Sequence, residues 1–175
     1  MKLIIGLGNP GRQYNFTRHN FGFLALDFYA KTAGLTLKSH PKFLATTAKT
    51  ATAIFAKPQT FYNNVGESIA KLIDFYKLNP ATDLLVICDD FDLPFGTIRF
   101  REQGSTAGNN GLKSAAAHLK TTTFHRLRLG TDQSLRASLG DIDFVLSKFT
   151  PEEHTHLPLL LAQTRQQISS FIEKN

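Results

Sequence analysis

The chain has 175 residues, 42% of them hydrophobic and 19% charged, with one Cys and no Trp. That length suits one domain whose core needs no disulfide or structural metal, and the lone Cys88 excludes an internal disulfide and a four-cysteine zinc site. Lys and Arg total 20 against 14 acids, and residues 1–66 hold eight bases against the single acid Asp27, a bias that points towards a polyanionic partner such as nucleic acid, with simple solubility as the equal alternative on charge alone.

Lys2–Leu7 is a short apolar run ending in glycines, which predicts a buried strand. No small-residue cleavage site follows it, so a cytoplasmic protein without a secretory leader is expected. Apolar runs such as Leu84–Cys88 fall far short of the roughly 20 residues of a membrane span. Phe21, Leu24, Ala25 and Phe28 recur at helical spacing within 20–33, and Gly34 is a natural stop. Thr- and Ala-rich runs at 43–49 and 52–57 read as strands. Ile69, Leu72, Ile73 and Tyr76 mark one face of a helix over 64–76.

Leu84–Cys88 reads as a second buried strand, closed by an acidic turn at 89–94. Thr97–Arg101 alternates as an edge strand does. A helix over 110–119, a strand over 126–130 and a loop over 134–140 follow. Thr150-Pro-Glu-Glu153 is a helix start with an N-cap, a proline at the first turn and an acid three residues on. The last helix is expected to reach Phe171, with Pro158 as a potential kink. Alternating strands and helices without repeats or linkers predict a single α/β domain over 1–175, a layered sandwich with a mixed, mostly parallel sheet flanked by helices.

Gly6-Leu-Gly8-Asn-Pro-Gly11 has the spacing of a dinucleotide loop. That fold needs a helix opening at the last glycine and an acid about 20 residues on. The first apolar helical face begins only near Asn20, and no carboxylate stands in 35–40, so a nicotinamide-type site is rejected.

In open α/β sheets the site lies beyond the carboxyl ends of the strands. Asn9, Tyr14 and His19 follow the first strand, residues 58–64 follow another, Asp89 ends the Leu84 strand, and 108–111 lead into a helix. His19 is the group suited to proton transfer near neutrality, and Asp89 could orient its ring. The Asn side chains offer donor and acceptor together, as binding a peptide-like group requires. Cys88 lies in a buried strand and is read as packing, which leaves water activated by His19 as the economical scheme. Asp89, Asp90 and Asp92 could alternatively hold a divalent cation, and spacing alone leaves the two readings open.

Six ordered segments carry a resemblance: 5–11 (IGLGNPG), 17–20 (TRHN), 58–63 (PQTFYN), 89–94 (DDFDLP), 110–113 (NGLK) and 124–130 (FHRLRLG). In this order and spacing they resemble bacterial-type peptidyl-tRNA hydrolase, over most of the chain from Lys2 to Phe149. The resemblance implies hydrolysis of the ester joining a peptide to the terminal ribose of tRNA, by a monomer with no metal and no organic cofactor. On this chain it implies His19 as general base, Asp89 as its partner and Asn9 as a selector of blocked amino groups. It assigns Asn63 and Asn110 to the peptide main chain or the polarised carbonyl, and Tyr14 and Phe61 to the acylated tRNA end. Arg99, Arg101, Lys113 and Arg128 are the candidate phosphate contacts. The chain departs from the family pattern at Tyr62, where Met is usual, at Asn109, where His is usual, and at 131–134, which replace glycines. A non-catalytic RNA-binding relative is the competing reading, disfavoured by the intact His19–Asp89 pair.

Overall fold

The computed structural model describes residues 1–174. Its strands are β1 (Lys2–Gly6), β2 (Lys38–His40), β3 (Ala45–Lys49), β4 (Ala53–Pro58), β5 (Leu84–Pro94), β6 (Ile98–Arg101) and β7 (His125–Asp132). The helices are α1 (Phe21–Thr32), α2 (Val65–Tyr76), α3 (Pro80–Asp83), α4 (Asn110–Leu119), α5 (Arg136–Leu139), α6 (Asp141–Leu146) and α7 (Pro151–Glu173). The strands form one sheet in the order β2-β3-β4-β1-β5-β7-β6. The central β4, β1, β5 and β7 run parallel, while β3 pairs antiparallel with β4, β2 with β3, and β6 with β7.

The apolar runs of β1 and β5 follow from burial on both faces. Leu3, Ile5, Leu84, Val86 and Cys88 point into a core shared with Ile69, Leu72 and Leu112 of α2 and α4. Ile4, Leu85 and Ile87 point into a second core with Ala25, Leu26, Leu160 and Ile168 of α1 and α7. The predicted mixed sandwich is therefore the observed architecture, a sheet between two helical layers. Each fully buried Leu or Ile contributes about 1.5–3 kcal/mol.

Helix α1 stops as predicted: Gly34 takes φ +66, and the Leu35 N–H reaches back to the Ala30 carbonyl at 2.8 Å. The loop after β1 makes only a 3-10 turn at Arg12–Tyr14 before a second one at Arg18–Asn20, so no helix opens at Gly11. What the first glycines serve is contact. A Cβ on Gly6 would strike the Gly22 carbonyl, and one on Gly22 would strike the Ile87 carbonyl and the Leu7 backbone, so α1 rests directly on the strands.

Two local expectations are corrected, and the expected reach of the last helix to Phe171 is borne out. The acidic stretch 89–94 is not a turn but a continuation of β5, with Asp89 opposite Leu129, Asp90 opposite Gly130, and a register shift before Pro94. Within the expected loop 134–140, residues Arg136–Leu139 form α5. Helix α7 runs through Pro158 to Glu173, with Pro158 and His154 both exposed, so the carbonyl the proline leaves unpaired lies on the outer side. The β2 strand and the short α3 and α6 carried no periodic signal.

Candidate active site

The carboxyl ends of β1, β4 and β5 open into a cleft of about 530 Å³, whose lining includes Asn9, His19, Phe61, Asn63, Asp89 and Asn110. His19 lies in the 3-10 turn Arg18–Asn20 that leads into α1. Its Nδ1 stands 3.1 Å from both Oδ1 and Oδ2 of Asp89. Asp89 is 2% exposed, on the part of β5 that the sequence reads as a turn. A buried carboxylate at that distance favours Nδ1–H and leaves Nε2 as the basic nitrogen.

Asn9 is held from two sides. Its backbone N–H donates to Asn20 Oδ1 at 2.8 Å, and its carbonyl accepts from Asn20 Nδ2 at 3.0 Å. Its own Oδ1 accepts from the Tyr62 N–H at 2.8 Å. That bond fixes the amide's orientation and turns Nδ2 away from Tyr62. Asn63 lies in the 3-10 turn Tyr62–Asn64 that opens α2, and Asn110 is the first residue of α4. Both are exposed on the cleft wall. Phe61 is 57% exposed beside them, and Tyr14 meets it edge-on at 6.4 Å, at the rim.

The fold, the cleft and the pairing of His19 with Asp89 invite comparison with known proteins. The sequence profile of the family described as peptidyl-tRNA hydrolase matches residues 3–175. The chain belongs to the peptidyl-tRNA hydrolase family. It is 46% identical to a peptidyl-tRNA hydrolase of Bacillus cytotoxicus over 178 aligned positions, covering 100% of this chain and 95% of that protein. Against the peptidyl-tRNA hydrolase of Chloroflexus aurantiacus the identity is 41%, covering 99% and 94%. Among solved structures, a mutant of the Acinetobacter baumannii peptidyl-tRNA hydrolase superposes with a TM-score of 0.83 at 31% identity, covering 98% of this chain and 90% of that one.

Two residues of the hydrolase cleft enter the sequence reading only as departures from the family pattern, yet both are built into the site. Tyr62 is 2% exposed; its ring stacks on His19 with centroids 3.5 Å apart, and its hydroxyl donates to Asp89 Oδ1 at 2.7 Å. Asn109 donates through Nδ2 to the Tyr62 hydroxyl at 2.9 Å while its Oδ1 caps α4 by accepting from the Leu112 N–H at 3.0 Å. Asn20 and Arg18 are also supports that sequence reasoning missed as such, although both stand inside the quoted 17–20 segment. Ile142, Val145 and Leu146 of α6 form the apolar wall of the cleft, and no pattern in the sequence announced them.

The three neighbouring acids do not converge. Asp89 faces His19 and Tyr62, Asp90 pairs with Arg128 at 2.6 Å, and Asp92 lies 3.4 Å from Arg136. Burial pushes the Asp90 carboxyl up, and Arg128 offsets only part of that. Cys88, buried beside Asp89, has its thiol pushed up by desolvation first and by that charge second. It is packing, as expected.

The basic candidates share one side of the sheet. Ile98 and Phe100 of β6 pack towards α7, so Arg99 and Arg101 face the α4 side, opposite Arg128 and Arg126 of β7. Arg126 is 1% exposed and donates to the carbonyls of Gly104, Ser105 and Thr122, which makes it a structural clamp for the 104–105 loop. Lys113 is exposed and lines a hollow with Asn63 and Asn110, two residues that also line the cleft.

Proposed function

We propose that this protein hydrolyses the ester of peptidyl-tRNA with a water molecule activated by His19. Family membership carries the overall reaction. The observation that carries the division of labour is the approach of His19 Nδ1 to both oxygens of buried Asp89.

His19 Nε2 takes a proton from water as its oxygen attacks the ester carbon. The carbonyl becomes a tetrahedral oxyanion. Collapse breaks the bond to the ribose oxygen, which recovers the proton from the imidazolium and leaves as a free hydroxyl. The peptide is freed as a carboxylic acid, which gives its remaining proton to bulk water and departs as a carboxylate. Asp89 holds Nδ1–H and stabilises the transient imidazolium. Asn63 and Asn110 stand at the openings of α2 and α4, where helix dipoles favour developing negative charge, and their amides are suited to the carbonyl or the peptide main chain. Asn9, locked by Asn20 and Tyr62, keeps its Nδ2 donor for the acyl carbonyl that blocks the substrate's amino group.

Tyr14 and Phe61 present aromatic edges for the terminal adenosine, and Arg99, Arg101, Lys113 and Arg128 supply positive charge for tRNA phosphates. On this reading a single domain works as a monomer, with no metal and no cofactor, in the cytoplasm where translation runs. No helix among the described residues is long and apolar enough to cross a membrane.

The test is release of N-acetyl-amino acid from blocked aminoacyl-tRNA in excess EDTA by the wild type and by His19→Ala. The wild type turns over and the variant loses at least about a hundredfold in kcat while keeping its tRNA affinity. Turnover by His19→Ala at the wild-type rate would refute the assignment of the base.

A further inference from the structure

We propose that Tyr62 is a positioning residue for this reaction: its hydroxyl holds the Asp89 carboxylate in the orientation that serves His19, and Asn109 sets the direction of that hydroxyl. The proposal rests on the roles given above to His19 and Asp89.

The Leu112 N–H donates to Asn109 Oδ1, which determines which end of that amide is oxygen. Asn109 Nδ2 is then the end that meets the Tyr62 hydroxyl at 2.9 Å, and a hydroxyl that accepts there has one proton to give. Asp89 Oδ1, 2.7 Å away, is where it goes. Burial first, and the Asp89 charge second, push the phenol well above its usual range, so the donor keeps its proton. A helix N-terminus is thereby wired through two neutral side chains to the carboxylate that the imidazole needs.

The wiring matters because a carboxylate's terminal torsion is soft. With His19 as sole partner, Asp89 could rotate; a second donor on Oδ1 from another direction removes that freedom. The Tyr62 ring also covers one face of the imidazole. Met at this position could fill the space but could not donate. Two of the chain's departures from the family pattern, Tyr62 and Asn109, touch each other and act as one unit.

The experiment is steady-state kinetics on blocked aminoacyl-tRNA for Tyr62→Phe, Asn109→Ser, the double variant and His19→Ala. Tyr62→Phe retains the ring and loses only the hydroxyl; kcat falls about tenfold with KM within about twofold. Asn109→Ser retains a helix cap and cannot reach Tyr62, so kcat falls several-fold. The double variant is no slower than Tyr62→Phe alone, because Asn109 reaches the Asp89 carboxylate only through that hydroxyl, its further bond at 3.3 Å being to the Asp89 main-chain carbonyl. Wild-type kcat in Tyr62→Phe, a change confined to KM, or independent losses that multiply in the double variant would each overturn the proposal. Should Tyr62→Phe fail to fold, kcat of Asn109→Ser decides: a fall supports the relay and a wild-type value ends it. An active His19→Ala would instead bring down the underlying assignment of the base, whereas an inactive one beside an unaffected Tyr62→Phe brings down this proposal alone.

Discussion

The two helical layers each supply part of the cleft, and they hold their parts by different chemistry. On the α1/α7 side His19 sits in a single 3-10 turn, a segment with little stability of its own. Its neighbour Arg18 is fully buried, pairs with Glu153 at 2.6 Å, donates to the Lys148 carbonyl at 2.5 Å and lies over the Phe144 ring at 4.6 Å. Glu153 in turn accepts from the Thr150 N–H at 2.6 Å, closing the capping box of α7. Burial draws the Arg18 guanidinium's proton affinity down and Glu153 restores part of it. On the α2/α4 side the supports are neutral: Leu112, Asn109 and Tyr62 in sequence, ending on Asp89. The contrast teaches that anchoring and aiming are separate tasks. A buried ion pair ties down an irregular segment because neither charge tolerates the loss of the other. Neutral hydrogen bonds are individually worth about 1 kcal/mol, yet their directionality suits the aiming of a carboxylate.

If that contrast is sound, the largest effect on stability comes from the charged side. Glu153→Ala strands Arg18 in the core and removes half of a capping box, so unfolding free energy falls by about 3–5 kcal/mol in denaturant melts. A loss under 1 kcal/mol would mean that water reaches Arg18 and that the segment is anchored elsewhere. On the neutral side, Asn109→Ala removes the cap of α4 and costs about 1 kcal/mol, whereas Asn109→Ser costs only a few tenths because serine still caps. Equal melts for the two would show that the cap contributes little and that Asn109 serves the relay alone. Smaller again is the effect of Arg101→Ala: protein stability is unchanged, and the slope of log affinity for tRNA against log salt flattens by about one. An unchanged slope would move the phosphate path off β6. The smallest is a null result: Cys88, buried and with its thiol pushed up, stays unmodified by iodoacetamide in the native protein. Labelling at native conditions would reveal opening of β5 next to Asp89.

How legible the molecule was depended on how local its determinants are. The Thr150–Glu153 capping signal was readable because it lies within one helical turn. That Glu153 also binds Arg18, 135 residues away, was not, since neither residue's local pattern advertises the other. The acids at 89–94 read as a turn because carboxylates are poor strand formers. In the fold Asp89 and Asp90 find His19, Tyr62 and Arg128, and the backbone continues to pair with β7. Helices α5 and α6 are too short to show a period; Arg136 bonding Asp141 at 2.7 Å and Phe144 entering the core hold them in place.

By itself the sequence determined the layered architecture and picked out residues that line the candidate cleft. Burial on both faces of β1 and β5 writes a continuous apolar run, and one-sided burial of α2 writes a helical stripe. Of the motif residues, Asn9 and His19 lie on the segment between β1 and α1, Asn63 in the turn between β4 and α2, Asp89 on β5 just beyond its apolar run, and Asn110 at the start of α4. The tertiary structure alone decided how those residues are held: that Asn20 grips Asn9, that Arg18 anchors the turn bearing His19, and that Tyr62 and Asn109 join in one path to Asp89. Hydrogen bonds and ion pairs between distant segments depend on ångström distances set by the packing of the whole sheet, and side chains far apart in the chain leave no periodic mark of their meeting.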